Sequence, residues 1–333
     1  MTRTPRLLVT MGDVAGIGPE IIAKAWPALC NVCRPVVVGD PGWMQWALDL
    51  VQSPAAVVEI QHLVAADPSP DMIPCLPATD QHLESVEPGR LSAVAGRAAF
   101  DFLCRAIDSG RAGEAHGIVT CPIHKEGLRA AGLPYPGHTE ILAERTGTQR
   151  FAMLLYAEGL AVVHVTLHMA LRAVFSNLAT EAIVDKVELL DQTLTRLLDR
   201  RPRIGVAGLN PHAGDGGLFG DEEEKIIRPA IEAAQRRGID ASGPWPSDTL
   251  FVRARHGDFD GVTAMYHDQG HIAMKLLFGR RAVNITAGLP LVRTSVAHGT
   301  AYDIAGRGLA DETSLIEAAR VASRLVQKQT SRQ

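Results

Sequence analysis

Apolar runs of strand length alternate with amphipathic stretches of helical period along most of this chain, and that alternation restricts its fold more than any other feature. Arg6–Met11 reads as a buried strand. It is followed by the glycine-rich turn Gly12–Gly18 and a helix to about Leu29, with Pro19 in the first helical turn where its missing N–H costs nothing. Pro35–Asp40, Val57–Leu63, Gly117–Cys121, Arg203–Gly208 and Gly261–Tyr266 read as further strands. Phe151–Tyr156 and Leu160–Thr166 flank Ala157-Glu158-Gly159, a hairpin signal that implies some antiparallel pairing. Helices are expected over Gly89–Gly110, from His124 to about Ala131, from Gly137, and over Thr180–Asp199, Asp221–Arg237 and Glu312–Lys328. Ala66–Gly89, rich in Pro and Asp, reads as loop. The pattern predicts an α/β protein with mainly parallel sheets.

At 333 residues, 46% hydrophobic and 21% charged, the chain has material for two domains or one large one. The best break lies around Ile123–Gly137, with the C-terminal helix packing back on the first domain. This gives 1–128 plus 305–333, and 129–304. A net charge of −4 and 5% aromatics argue against nucleic acid or an anionic membrane as partner. The first residues, MTRTPRLLVTMG, contain no signal-peptide core, and no apolar run approaches the roughly 20 residues that span a bilayer. Five cysteines, an odd number, fit a reducing cytoplasm better than a disulfide framework. The single Cys30–Cys33 pair lacks a partner motif and reads as helix-end packing.

Polar residues just beyond the C-terminal ends of strands are where open α/β sheets keep their sites. His168, His212 and His267 each follow such an apolar run. Neighbouring parallel strands end on one edge, so the three imidazoles form a candidate site for zinc or a similar divalent metal. The alternative is three hydrogen-bonded structural histidines. Asp248 and Asp268 are candidates to orient a ring. Lys275, Asn284 and Arg293 suit a phosphate or carboxylate, against the alternative of surface charge. His138 and Thr139, opening a helix, suit the same anion. His164 reads as core, His62, His82, His116 and His256 as surface residues, and His298-Gly299-Thr300 as a hydrogen-bonding loop before a helix. The glycines of Gly12–Gly18 do not match the dinucleotide fingerprint, although a loop opening a helix there can still bind an anion.

Six motifs, in one order along nearly the whole chain, resemble the 4-hydroxythreonine-4-phosphate dehydrogenase (PdxA) family. They are Gly12-Asp13 with Gly16-Ile17-Gly18-Pro19-Glu20, Gly137–Glu140, Asn210–Gly214, Tyr266–Gly270, Asn284-Ile285-Thr286 and Arg293–Thr300. Ala297–Gly308 is also similar to the adenosine-binding loop of isocitrate and isopropylmalate dehydrogenases. The resemblance implies their fold: two α/β/α domains with an active-site cleft between them, the second carrying metal, substrate and dimer elements. It implies a divalent metal (Zn, alternatively Mg, Mn or Co) on His168, His212 and His267. It implies substrate contacts from His138, Thr139, Lys275, Asn284 and Arg293, and NAD or NADP at Gly299, Thr300 and Asp303. It further implies a homodimer whose sites are completed by both subunits. The implied reaction is oxidation of a 4-phosphorylated 3-hydroxy acid followed by β-decarboxylation, with Lys275 or Asp248 moving the proton.

One departure bears on the substrate. Where biosynthetic members of the family, which serve pyridoxine synthesis, read Leu-Pro after Asp-Gln-Gly, this chain has His271-Ile272. That form resembles a sister branch acting on D-threonate or D-erythronate 4-phosphate in sugar-acid catabolism. A further branch oxidises a cyclic dihydrodiol carboxylate and tends to lose the anion-binding Asn and Arg, both kept here as Asn284 and Arg293. A three-His zinc hydrolase is the competing class, but it has no use for the loop Ala297–Gly308.

Overall fold

The computed structural model describes residues 4–330. Contacts within the chain divide it into two compact units, one of residues 1–149 with 289–333 and one of residues 150–288.

The first unit opens with β1 (Arg6–Thr10), α1 (Gly18–Val32), β2 (Arg34–Gly39), α2 (Pro41–Leu50), β3 (Ala56–Glu59) and β4 (Met72–Pro77). It continues with α3 (Ala93–Arg111), β5 (Gly117–Thr120), α4 (Lys125–Ala130) and α5 (His138–Thr146). The second unit holds β6 (Ala152–Ala157), β7 (Leu160–His164), α6 (Leu171–Asn177), α7 (Thr180–Leu198) and β8 (Ile204–Ala207). After β8 come α8 (Arg228–Arg236), β9 (Ala241–Trp245), α9 (Ser247–Arg255), β10 (Gly261–Ala264), α10 (His267–Phe278) and β11 (Val283–Ala287). The chain then returns to the first unit with β12 (Val292–Val296) and α11 (Thr313–Thr330).

In the first unit the strand order is β3-β4-β2-β1-β5-β12, and every pairing is parallel. Leu7, Leu8 and Val9 of β1 and Val36, Val37 and Val38 of β2 are fully buried. Such continuous apolar runs are what a strand covered on both faces requires. The last helix, α11, packs on α1, β5 and β12. In the second unit the order is β11-β6-β7-β10-β8-β9. There β7, β10, β8 and β9 run parallel, and β6 is antiparallel to both β7 and β11. The β6–β7 turn has Glu158 and Gly159 at positive φ, the two-residue geometry that matches strand twist. Among the described residues no helix is long and apolar enough to cross a membrane.

Two expectations need correction. Residues 66–89 are not all loop, because β4 lies between β2 and β3 in register with both. Pro74 and Pro77 disguise it, since a residue without an N–H argues against a ladder strand. The helix expected from Gly89 begins only at Ala93. Ser92 caps it, its Oγ accepting from the Ala95 N–H at 3.2 Å, and Leu91 is left exposed. Residues 241–245 add a strand that Gly243 and Pro244 hide in the same way.

Gly96 explains a close packing. A Cβ there would lie 2.2 Å from the Gly127 carbonyl oxygen, so α3 and α4 touch backbone to backbone. Gly96→Ala should therefore lower the unfolding free energy by about 1–3 kcal/mol, although alanine is the better helix former. Urea denaturation of the two proteins measures the difference.

Candidate functional site

In the second unit, β7, β10 and β8 are adjacent and parallel, so their C-terminal ends share an edge. His168 follows β7, His267 opens α10 after β10, and His212 lies in the turn after β8. The rings of His168 and His267 are 5.8 Å apart between centroids, and both line one hollow with Leu167, Met169 and Tyr266. His267 Nδ1 lies 2.6 Å from Asp268 Oδ1, which leaves Nε2 for other use. His212 and Asp248 line a second hollow with Asn210, Ser247 and Gln269, and Tyr266 borders both. Among the described residues no three His, Cys, Asp or Glu side chains stand grouped to hold a metal ion. The chemistry of the donors nevertheless fits a divalent cation. Three imidazoles lie on one sheet edge, and one of them has its second nitrogen engaged by a carboxylate in the manner usual for metal-binding histidines.

Two side chains that do not stand out in the sequence hold this edge in place. Gln269 accepts the Met265 N–H through Oε1 at 2.6 Å, and its Nε2 donates to the Gly208 carbonyl and to Ser247 Oγ, both at 2.7 Å. One amide thus joins the ends of β10 and β8 to the start of α9. Glu223 is buried, and its carboxylate accepts from the Leu209 and Asn210 N–H groups at 2.8 and 2.7 Å and from Asn210 Nδ2 at 2.9 Å. Those bonds secure a turn in which His212, Ala213, Gly214, Asp215 and Gly216 all have positive φ. Each L-residue there costs roughly 1–2 kcal/mol, so the surroundings must impose the conformation. In sequence Glu223 is one of four consecutive acidic residues, Asp221 to Glu224, and nothing local distinguishes it from surface charge.

Along α10, His267, His271 and Lys275 follow at four-residue steps on one face. Burial, then the neighbouring His271, His267 and His168, pushes the pKa of His164 down to about 3. Burial, then His267, pushes that of His271 down to about 4. Lys275 is exposed, and Asn284 is half-buried on β11.

The first unit carries the other expected anion ligands. Arg293 on β12 is only 3% exposed, and its Nη2 donates to Thr120 Oγ1 at 2.7 Å. Burial pushes its guanidinium down to about 9, with Glu140 opposing. His138 and Thr139 open α5, whose first N–H groups have no helical partner. His138 Nε2 is buried without a hydrogen-bond partner, and burial together with the Arg293 charge holds this imidazole neutral. A buried guanidinium, a neutral imidazole and helix N–H groups suit an anion.

The expected cofactor residues lie between β12 and α11. Gly299 and Asp303 are exposed, whereas Thr300 is buried and its carbonyl accepts from the Ile17 N–H at 3.1 Å. The acids of the first glycine-rich loop are engaged here. Asp13 accepts from the Tyr302 hydroxyl at 2.6 Å and the Ala15 N–H at 2.9 Å. Glu20 accepts from the Ala310 N–H, and Lys24 donates to the Gly308 and Ala310 carbonyls. Asp13 and Glu20 therefore brace the 299–310 loop.

The neutral His138 has a consequence for stability. Its folded pKa lies well below 6.5, so below about pH 6.5 the unfolded chain binds a proton that the native state refuses. Stability from this group is present at higher pH and lost as pH falls through that range. Urea midpoints at pH 7.5 and about 5.5 should differ less for His138→Gln than for the native protein.

Comparison with known proteins places the chain. It is 49% identical over 96% of its length to a 4-hydroxythreonine-4-phosphate dehydrogenase of Beijerinckia indica subsp. indica, covering 94% of that protein. It is also 49% identical, again over 96% of its length, to a D-threonate 4-phosphate dehydrogenase of Cupriavidus necator, covering 97% of it. The crystal structure of 4-hydroxythreonine-4-phosphate dehydrogenase from Klebsiella pneumoniae superposes with a TM-score of 0.89 at 43% identity, covering 97% of this chain and 98% of that one. Residues 31–322 match the family described as pyridoxal phosphate biosynthetic protein PdxA, and the chain belongs to that family.

Proposed function

We propose that this protein is a dehydrogenase that oxidises the C3 alcohol of a small 4-phosphorylated 3-hydroxy acid, using NAD or NADP, and that the 3-keto acid then loses CO₂. The observation that carries the reading is the anion receptor of the first unit: Arg293, buried and oriented by Thr120, beside the neutral His138. The relatives named for phosphorylated substrates support it. Between those two substrate names we favour D-threonate or D-erythronate 4-phosphate, because residues 270–272 read Gly-His-Ile.

Each residue then has a task. Arg293, His138, Thr139 and Asn284 bind and orient the phosphorylated acid. Gly299, Thr300 and Asp303 hold the dinucleotide. Lys275 Nζ or an Asp248 carboxylate oxygen takes the proton of the C3 hydroxyl. The same group returns a proton to C2 after the C1–C2 bond breaks and its electron pair passes to C2. The reaction asks of a divalent cation at His168, His212 and His267 only Lewis acidity toward the C3 oxygen, and of the nicotinamide only acceptance of hydride. A second copy of the chain is the proposed partner. Leu171 and Phe175 on α6 and Ile272 and Leu276 on α10 are exposed at four-residue spacing, and such apolar surface favours association.

The test is nicotinamide reduction by cation-loaded protein, offered 4-hydroxy-L-threonine 4-phosphate, D-threonate 4-phosphate and D-erythronate 4-phosphate in parallel. Turnover of the sugar acids is expected. Turnover of the amino substrate alone would overturn the choice of branch, and silence on all three would overturn the phosphorylated-acid reading. In Arg293→Met, kcat/KM for the phosphorylated acid should fall roughly 10²–10³-fold. Activity on D-threonate without its phosphate, however weak, should be little changed by that substitution.

A further inference from the structure

His271 has no task in the chemistry proposed above, yet its ring is held on several sides at the β7–β10–β8 edge. Its imidazole stacks flat on His267, with centroids 3.8 Å apart and planes at 10°. Its Nδ1 lies 3.3 Å from the His267 carbonyl oxygen and 3.1 Å from His164 Nε2. One ring nitrogen of His271 is thus within hydrogen-bond distance of both a backbone carbonyl and a neighbouring imidazole. His164 is fixed in turn, because it ends β7 with its ring buried. Gly270 permits the arrangement. A Cβ there would lie 2.4 Å from His164 Nε2 and 2.7 Å from Val162 Cγ1, so any side chain at 270 would push α10 off β7.

We propose that His271 is a positioning residue for His267. Imidazole rotation about χ2 is broad and intrinsically loose. Asp268 holds His267 at Nδ1, and the His271 ring forms a wall along one face. Together they fix the plane of His267 and the direction of its Nε2. His164 anchors the wall to the sheet. The proposal rests on reading His267 as a ligand of a divalent cation. It adds that the ligand's orientation is set by a neighbouring ring four residues along the same helix.

The experiment is titration of the full-length protein with Co(II) in competition with a chelator, following the visible absorption of the bound ion. The native protein is compared with His271→Ala, His271→Phe and His267→Ala. In His271→Ala, Co(II) binding should weaken roughly 10–100-fold and the absorption band should shift, as when the outer partner of a metal ligand is removed. His271→Phe keeps a flat ring and should lose less than about tenfold. Native affinity and a native spectrum in His271→Ala would overturn the proposal, and so would a loss in His271→Phe as deep as that in His271→Ala. A purely structural role would lower the melting temperature of the cation-free protein and leave the Co(II) spectrum unmoved, which also counts against it. His267→Ala separates the two layers of the argument. If it binds Co(II) as the native protein does, or if the native protein binds none, the reading of His267 as a ligand falls and this proposal with it. If it loses Co(II) while His271→Ala does not, only the positioning role falls. Should His271→Ala fail to fold, His271→Leu, which fills similar volume without a flat ring, replaces it with the same expectations.

Discussion

A parallel sheet delivers the ends of its strands to one edge, and the amide of Gln269 turns that tendency into a fixed arrangement. It satisfies a backbone donor after β10, a backbone acceptor after β8 and the hydroxyl that starts α9. Each of these would otherwise be a polar group needing a partner close to the core. The candidate ligands His267 and His212 and the candidate proton carrier Asp248 all sit within a few residues of its contacts. The positions of three candidate side chains thus depend on one residue that takes no direct part in the proposed chemistry.

Charge burial serves different ends in the two units. Glu223 is surrounded by N–H donors, so its desolvation is offset within the protein and it serves structure. Arg293 is equally buried, its guanidinium is pushed toward the neutral form, and its neighbour His138 stays uncharged. Such an environment strengthens attraction for an incoming anion, because little water competes for the cation.

Much of this was legible in the sequence. The short apolar strand runs and the longer helical periods mark the α/β class, and the Glu158-Gly159 turn marks the antiparallel hairpin. The three strand-end histidines stand out because a polar ring follows each apolar run. β4 was hidden because Pro74 and Pro77 break the strand signal while the neighbouring strands supply the pairing. Glu223 and Gln269 were hidden for a different reason. Apart from the Met265 bond of Gln269, their partners lie 13 to 61 positions away, and no local pattern of charge or period encodes those bonds. The first loop is a similar case, because the partners of its Asp13 and Glu20, Tyr302 and Ala310, lie 289 and 290 positions away.

That last pairing has a bearing on how the chain is made. The bonds from Asp13 to Tyr302, from Glu20 to Ala310 and from Lys24 to Gly308 span 289, 290 and 284 residues. α11 meets the end of α1 at a similar range, Ser323 to Val32 spanning 291 residues, and β12 joins β5 from 175 residues away. The second unit, by contrast, is one uninterrupted segment, 150–288. On the ribosome that middle segment has all its own strands before the first unit has its sixth. Contacts of such long range form late, after the closure entropy has been met. The 299–310 loop therefore takes shape late, and a chain truncated before β12 leaves β5 with β1 but without its other neighbour, and leaves Asp13 and Glu20 without their partners.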